Sequence, residues 1–225
     1  SYLPMAHIAE RLTTHYSGAF DGLEVTVCPD MGQVADYFRD VHPQLLLGVP
    51  RVWEKVYAGV TAALGADPEK ERQFGEALEA AWPIQQRIDF GTATEEDLAT
   101  WAFLDEVAFA PVRQLIGMDA VEVAVTSAAP IPPELIVWFR SIGVPLSELY
   151  GLSETSGPLT WARTKVKPGW VGPAIPGCEV KLADDGELIG KGCNIFLGYF
   201  GEPEKTAEAL DDDGWLHTCD IAELD

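Results

Sequence analysis

The sequence predicts an α/β protein: part of a doubly wound, mainly parallel sheet domain, followed by a β-rich subdomain. Up to about residue 167, short apolar runs alternate with amphipathic segments in a β-α-β-α order, which favours a parallel sheet covered by helices. From about residue 168, short alternating segments are separated by glycines and by a turn sequence at residues 183–186, which is typical of antiparallel hairpins. We therefore assign residues 1–167 to an α/β portion and residues 168–225 to a β-rich portion.

The N-terminal quarter of the chain predicts two strands and three helices. Alternating residues that stop at Pro29 favour a strand over residues 23–28, and a short apolar run favours a buried strand over residues 45–50. Val52, Val56 and Val60 recur at every fourth position, as they would on one face of a helix. The predicted helices lie within residues 1–20, over residues 33–41 and over residues 51–64.

The next segment, residues 65–117, is predicted to be a helical insert. It is rich in charged side chains, and Thr94 followed by three acidic residues is typical of a helix start. No pattern of residues in this segment suggests chemistry. We interpret it as a helical elaboration that is exposed to solvent.

The remaining elements follow in the same way. Pro132 and Pro133 before Glu134 predict the start of a helix that ends near residue 142, because proline suits a first helical turn and an acid suits the helix dipole. Alternating or apolar runs predict the strands, and glycines separate the last of them. The predicted strands lie over residues 121–125, 144–149, 179–182, 187–189 and 214–220, and a short helix lies over residues 204–210.

Charge and cysteine usage exclude several classes of partner and site. The formal net charge is −21, from 36 acidic against 15 basic residues, so the surface repels nucleic acid. The four cysteines form no Cys-x-x-Cys pair, which argues against a zinc site and favours free thiols in the cytoplasm. No apolar stretch reaches the roughly 18 residues of a transmembrane helix.

The most informative stretch is the run at residues 150–157, Tyr-Gly-Leu-Ser-Glu-Thr-Ser-Gly. An aromatic ring such as that of Tyr150 can stack on a base, the hydroxyl of Ser153 can donate to a phosphate, and the carboxylate of Glu154 can hold Mg²⁺. The run follows a predicted strand, and open α/β sheets bind ligands at the loops after their strands. The sequence therefore predicts a nucleotide and metal site there.

This run resembles the Tyr-Gly-x-Ser/Thr-Glu motif of the AMP-forming acyl-CoA synthetases, members of the adenylate-forming superfamily. The resemblance implies that Tyr150 stacks on adenine, that Ser153 contacts the phosphates and that Glu154 is associated with Mg²⁺, the last two being the catalytic residues. It also implies that Asp220 accepts hydrogen bonds from both ribose hydroxyls. The loop that would pack on adenine consists of Ser127, Ala128, Ala129 and Pro130. Gly151 would contact the nucleotide, and His7 and Gly151 are candidates for the acyl pocket.

Each of these residues also has a simpler interpretation when it is taken alone. Tyr150 could be a packed aromatic residue, Ser153 a helix cap and Glu154 a carboxylate at a helix start. Asp220 could be a turn residue and His7 a satisfied, partly buried histidine. Their order and spacing along the chain match those of the family, which favours the nucleotide site for all of them except His7.

The segment at residues 47–55 resembles the Val-Pro-Arg-x-x-Glu-Lys signature of long-chain family members, and with the helical insert it is most similar to the bubblegum type. The resemblance implies an enzyme that activates a fatty acid with ATP, releases AMP and transfers the acyl group to CoA, with Mg²⁺ as the metal. Two alternatives stay open: a non-catalytic nucleotide-binding or partner module, and a related enzyme that adenylates other carboxylic acids. Peripheral membrane association and homodimer formation of an intact protein also stay open.

Several features of the family are not found in the sequence. It contains no Ser/Thr/Gly-rich loop ending in Pro-Lys-Gly, and it ends at Asp225, before the positions of the family's hinge and lysine-bearing C-terminal domain. We therefore expect the chain to be inactive alone. Cys219 stands where the family usually has glycine, and Cys193 where it often has proline. If residue 219 needs a positive φ, its Cβ atom would be strained there.

Overall fold

The structure, a computed structural model, describes residues 1–224 and contains two sheets. The first sheet has the strand order β1-β2-β3-β4, with β1 parallel to β2, β2 parallel to β3 and β4 antiparallel to β3. The second is an antiparallel sheet with the order β5-β6-β7. The strands are β1 (Leu45–Gly48), β2 (Val123–Thr126), β3 (Leu146–Leu152), β4 (Gly157–Trp161), β5 (Cys178–Leu182), β6 (Glu187–Gly192) and β7 (Leu216–Ile221).

The helices connect these strands. They are α1 (Ile8–Glu10), α2 (Ser17–Asp21), α3 (Val34–Val41), α4 (Pro50–Leu64), α5 (Pro68–Asp89), α6 (Glu95–Leu104), α7 (Ala110–Ile116), α8 (Pro133–Ser141) and α9 (Pro203–Ala209). Helices α4 and α8 pack against the first sheet, and α9 packs against β7 of the second. Two π-helical segments, Arg11–Tyr16 and Asp105–Phe109, join α1 to α2 and α6 to α7, and a 3₁₀ turn, Met31–Gln33, precedes α3. Within residues 1–224, no helix has the length and apolar character needed to cross a membrane.

The mixed α/β fold class is confirmed, but the strand predicted over residues 23–28 is wrong. This segment has no regular secondary structure, is exposed apart from Cys28, and belongs to neither sheet. Two backbone hydrogen bonds link it to the first residue. The Cys28 amide donates to the Ser1 carbonyl (2.8 Å), and the Ser1 amino group donates to the Thr26 carbonyl (2.9 Å). Alternation of side chains predicts a strand only where a neighbouring strand is available to complete the ladder.

The motif at residues 150–157 also lies differently from the prediction, because its first three residues belong to β3 itself. Tyr150 is paired with Thr160 and Leu152 with Gly157 across the β3–β4 ladder. The turn therefore begins only at Ser153. An antiparallel return strand directly after the motif extends β3 beyond the parallel part of the sheet.

The helical insert is part of the hydrophobic core, so its interpretation as a solvent-exposed elaboration is wrong. Phe74 of α5 and Phe109 are buried and meet edge to face, with ring centroids 5.8 Å apart. Phe74 also approaches Trp138 of α8, whose ring meets Phe139 at 4.8 Å. Helix α5 thus packs on α8 with apolar side chains and carries most of its charged residues on its exposed face.

A buried ion pair fastens the same insert to the sheet. Arg140 of α8 donates from Nε and Nη2 to the two carboxylate oxygens of Asp89, the last residue of α5, at 2.8 and 2.5 Å. Its Nη1 atom donates to the carbonyl of Leu146 in β3 at 3.1 Å. The side chains of Arg140 and Asp89 are only 4% and 6% exposed, so this bidentate pair connects insert, helix and strand in a dry environment.

Candidate functional site

The turn between β3 and β4 is built around Thr155, a residue that the sequence analysis did not single out. Thr155 is fully buried. Its hydroxyl accepts a hydrogen bond from the Leu152 amide (2.8 Å) and lies 2.6 Å from the Gly157 carbonyl, to which it donates. Asn194 donates to the carbonyls of Thr155 and Pro158, both at 2.9 Å. These bonds fix the loop that carries Ser153 and Glu154.

Glu154 is held by a second residue that sequence reasoning missed, Tyr199. The Tyr199 hydroxyl donates to Glu154 Oε1 at 2.8 Å, and the Phe196 amide donates to the Glu154 backbone carbonyl at 2.7 Å. The negative carboxylate raises the pKa of Tyr199, so the phenol stays protonated as the donor. Ser153 is exposed beside this pair, and its side chain is oriented toward solvent rather than into the core.

Tyr150 and Asp220, which are 70 residues apart in the sequence, meet across the two sheets. The Tyr150 hydroxyl donates to Asp220 Oδ2 at 2.5 Å, which connects β3 of the first sheet with β7 of the second. The pKa of Tyr150 is raised, mainly by burial and then by the hydrogen bond to Asp220, with the charges of Asp220 and Glu187 adding to the effect. The structure therefore brings together two of the residues that the sequence analysis assigned to one nucleotide.

Asp220 reaches Tyr150 because β7 bulges immediately before it. Ile189 of β6 faces His217, whereas Glu187 faces Ile221, so three residues of β7 oppose one residue of β6. Within the bulge Cys219 has a φ of +60°, a left-handed conformation that favours glycine. Residue 219 thus has the positive φ at which its Cβ atom is expected to be strained.

We expect the substitution Cys219→Gly to stabilise the chain by about 1 kcal/mol. Removing the Cβ atom relieves about 1–3 kcal/mol of left-handed strain, which exceeds the roughly 0.4–1 kcal/mol that glycine adds to the entropy of the unfolded chain. Urea denaturation followed by circular dichroism measures the difference. The control is Cys193→Gly, at an exposed position without positive φ, which should be destabilising. Equal shifts in the two variants would contradict the assignment of strain to residue 219.

The small-residue loop lies at the carboxyl end of β2. Thr126, the last residue of β2, is in register with Glu148 of β3, two residues before Tyr150, so the loop and Tyr150 leave the same edge of the sheet. Ala128 has a φ of +75°, and Ala128, Ala129 and Pro130 are exposed while Ser127 is half-buried. Exposed backbone with small side chains leaves room for a flat ring to approach.

Gly151 and His7, the candidates for an acyl pocket, have clear local roles. A Cβ atom on Gly151 would lie 1.9 Å from the Gly157 carbonyl oxygen, so only glycine allows β3 and β4 to approach as they do. His7 is half-buried, and its Nδ1 atom accepts a hydrogen bond from the Ala9 amide at 3.2 Å, capping α1. A cavity of about 500 Å³ lies elsewhere, between α3, β1 and the segment at residues 23–28, and its lining includes neither of these residues.

The side chains near Glu154 fit a magnesium ion that is shared with a phosphate ligand. No group of three metal-binding side chains occurs within residues 1–224, and Tyr199 occupies only Oε1 of Glu154. Mg²⁺ in nucleotide enzymes is commonly held by one or two carboxylates together with substrate phosphates and water. A single available carboxylate oxygen is compatible with that mode of binding and not with a site made of protein ligands alone.

The fold is shared with solved protein structures. The whole chain superimposes on apo MatB from Rhodopseudomonas palustris with a TM-score of 0.65 at 20% identity, covering 37% of that chain. It superimposes on the N-terminal domain of FACL13 from Mycobacterium tuberculosis with a TM-score of 0.64 at 23% identity, covering 47% of that chain. At these identities the likeness establishes the architecture alone, a mixed α/β domain.

The family follows from the sequence comparison. Residues 1–200 match the family described as AMP-binding enzyme, and the chain belongs to this family. It is 38% identical to the putative fatty-acid–CoA ligase fadD11 of Mycobacterium tuberculosis, and 33% identical to the long-chain-fatty-acid–CoA ligase ACSBG2 of Gallus gallus. Both alignments cover all of this chain, which spans 40% and 30% of the lengths of these relatives. The predicted resemblance to fatty acid–CoA ligases, including the bubblegum type, is confirmed.

Proposed function

We propose that the chain forms the adenosine- and metal-binding part of a long-chain fatty acid–CoA ligase, which forms an acyl-adenylate from a fatty acid and ATP and transfers the acyl group to CoA. The observation that carries this proposal is the meeting of Tyr150 and Asp220 across the two sheets. An aromatic ring and an exposed carboxylate lie together between β3 and β7. They suit the two parts of adenosine, because an aromatic ring stacks on a base and a carboxylate accepts hydrogen bonds from the vicinal hydroxyls of ribose.

The roles of the individual side chains follow from their positions. Asp220 accepts hydrogen bonds from the ribose hydroxyls after its bond to Tyr150 is released, and the ring of Tyr150 lies against adenine on the side opposite the Ala128–Pro130 loop. The exposed hydroxyl of Ser153 donates to a phosphate oxygen. Glu154 would hold Mg²⁺ through Oε2 while Tyr199 keeps Oε1. When bound, this ion neutralises phosphate charge during attack by the fatty acid carboxylate.

We further propose that the chain binds nucleotide but does not catalyse the reaction alone, with residues 1–167 and 168–225 as its two portions. By its resemblance to the family, adenylation also needs groups that wrap the β- and γ-phosphates and a lysine near the α-phosphate, and no residue within 1–224 is assigned these roles. The four free cysteines support a cytoplasmic location. The proposed preference for long fatty acids rests on the names of the relatives. It is tested by measuring the activity of a full-length protein that contains this polypeptide on fatty acids of increasing length.

The site assignment predicts that Asp220→Ala weakens the binding of AMP by roughly 10- to 150-fold. The variant removes the only acceptor assigned to the ribose, and a hydrogen bond to a charged group contributes about 1.5–3 kcal/mol. Isothermal titration calorimetry of the 225-residue chain with AMP measures the change. Asp212→Ala, at an exposed turn position, is the control and should bind as the unmodified chain does. Unchanged affinity in Asp220→Ala would contradict the assignment.

A further inference from the structure

The bulge that carries Asp220 removes backbone groups of β7 from the β6–β7 ladder. His217 and Ile221 are in register with Ile189 and Glu187, and the three intervening residues have only Leu188 opposite them. Backbone amides in such a bulge lose their cross-strand acceptors and need other partners. The conformation of the bulge is also strained, because Cys219 has a φ of +60°. Hydrogen bonds other than those of the β6–β7 ladder must therefore hold Asp220 in its position beside Tyr150.

The missing partners come from two buried side chains, Glu187 and Thr218, each 9% exposed. Glu187 Oε1 accepts from the Cys219 amide at 2.7 Å, and Glu187 Oε2 lies 2.7 Å from His217 Nδ1. The Thr218 hydroxyl donates to the Leu188 carbonyl at 2.6 Å and accepts from the Asp220 amide at 3.2 Å. One carboxylate thus holds the residues on either side of Thr218, including the strained one.

We propose that Glu187 is a positioning residue for Asp220: it fixes the bulge of β7 so that the Asp220 carboxylate is presented to the ribose hydroxyls. This inference rests on the function proposed above. Glu187 is bonded to Cys219 and His217 rather than to Asp220, so it acts through the backbone. A charged acceptor makes short, strong hydrogen bonds to amides, which offset the strain at Cys219 and keep a single orientation of the next residue.

The test compares AMP with 2′,3′-dideoxy-AMP, which has no ribose hydroxyls for Asp220 to bind. In the unmodified chain AMP should bind about tenfold more tightly than the dideoxy compound, as expected for hydrogen bonds to a charged group. The variant E187M keeps the volume but has no oxygen acceptor, and it should lose this preference through weaker binding of AMP alone. The variant E187Q keeps an oxygen for the Cys219 amide and should retain most of the preference.

The possible outcomes separate this proposal from the function on which it rests. An unmodified chain that does not distinguish the two nucleotides would overturn the role of Asp220. A preference that survives in E187M, or equal weakening of both nucleotides in it, would overturn the role of Glu187. The Cys219 amide proton gives a second measurement that needs no ligand. It should resonate downfield in the unmodified chain and move upfield in E187Q, and an unchanged shift in E187Q would also overturn the proposal.

Discussion

The substitution Asp89→Ala is expected to lower the free energy of unfolding by about 3–5 kcal/mol, the usual effect of leaving a buried charge without its partner. Arg140 would keep only its hydrogen bond to the Leu146 carbonyl. Its guanidinium would remain between α5, α8 and β3 with little access to water, since its side chain is 4% exposed. Urea denaturation monitored by tryptophan fluorescence measures the change, and the transition should move to markedly lower urea concentration.

Arg72→Ala is the matched control for this prediction. Like Arg140, Arg72 forms ion pairs, in this case with Glu69 and Glu76 of its own helix. Its side chain, however, is 54% exposed. Exposed pairs contribute about 0–1 kcal/mol, so this variant should unfold almost as the unmodified chain does. The double substitution Asp89→Leu with Arg140→Met should recover most of the loss, because apolar replacements of a buried pair are often neutral or stabilising. Similar small effects in Asp89→Ala and Arg72→Ala would show that the buried pair is not a structural link.

The second large effect is expected for Gly151→Ala, which should destabilise the chain by about 1–3 kcal/mol through overpacking and also weaken AMP binding. The added Cβ atom would lie 1.9 Å from the Gly157 carbonyl oxygen and 2.8 Å from the Gly157 carbonyl carbon. Both atoms are backbone, so relief requires β3 and β4 to separate. That movement would disturb the turn around Thr155 and displace Glu154. Thermal unfolding and calorimetry with AMP measure the two effects.

Gly75→Ala is the control for a glycine that has room. Gly75 lies inside α5 with nothing within 4 Å of an added Cβ atom, and alanine there should stabilise the helix by about 0.5–1 kcal/mol. The two substitutions are chemically identical but should have opposite signs. A stabilising or neutral Gly151→Ala would mean that the β3–β4 pair can adjust and that the glycine has no steric role.

The sequence was sufficient for those parts of the fold that depend on local pattern. The apolar run at residues 45–50 and the proline pair before Glu134 predicted β1 and the start of α8, because periodicity and first-turn preferences are properties of neighbouring residues. The segment at residues 23–28 has the alternation typical of a strand but no neighbouring strand, and periodicity cannot show whether a partner exists. The insert was predicted to be exposed because it is rich in charged residues. It also has apolar residues at helical spacing, such as Phe74 and Ala81, and these are buried.

For the candidate site, sequence reasoning found the groups that a ligand would contact and missed those that hold them. Tyr150 and Asp220 were both predicted, and the structure places them in contact; their nucleotide-binding roles stay predictions. Thr155, Tyr199 and Glu187 were not predicted, because their importance arises from tertiary contacts rather than from their neighbours in the sequence. A buried threonine or glutamate at the end of a strand has no local signal that separates it from an exposed one.

The hydrogen bond between Tyr150 and Asp220 also has a consequence for binding affinity under the proposed function. If Asp220 accepts from the ribose hydroxyls as proposed, a nucleotide that uses Oδ2 binds only the open molecules, in which this hydrogen bond is broken. The apparent affinity is then the intrinsic affinity multiplied by the fraction of open molecules. In the proposed binding mode, adenine alone lacks the ribose hydroxyls that would replace the phenol at Asp220, so it gains little from breaking this hydrogen bond. Under the proposed function, a ligand with ribose hydroxyls thus recovers free energy that is lost when the Tyr150–Asp220 bond is broken.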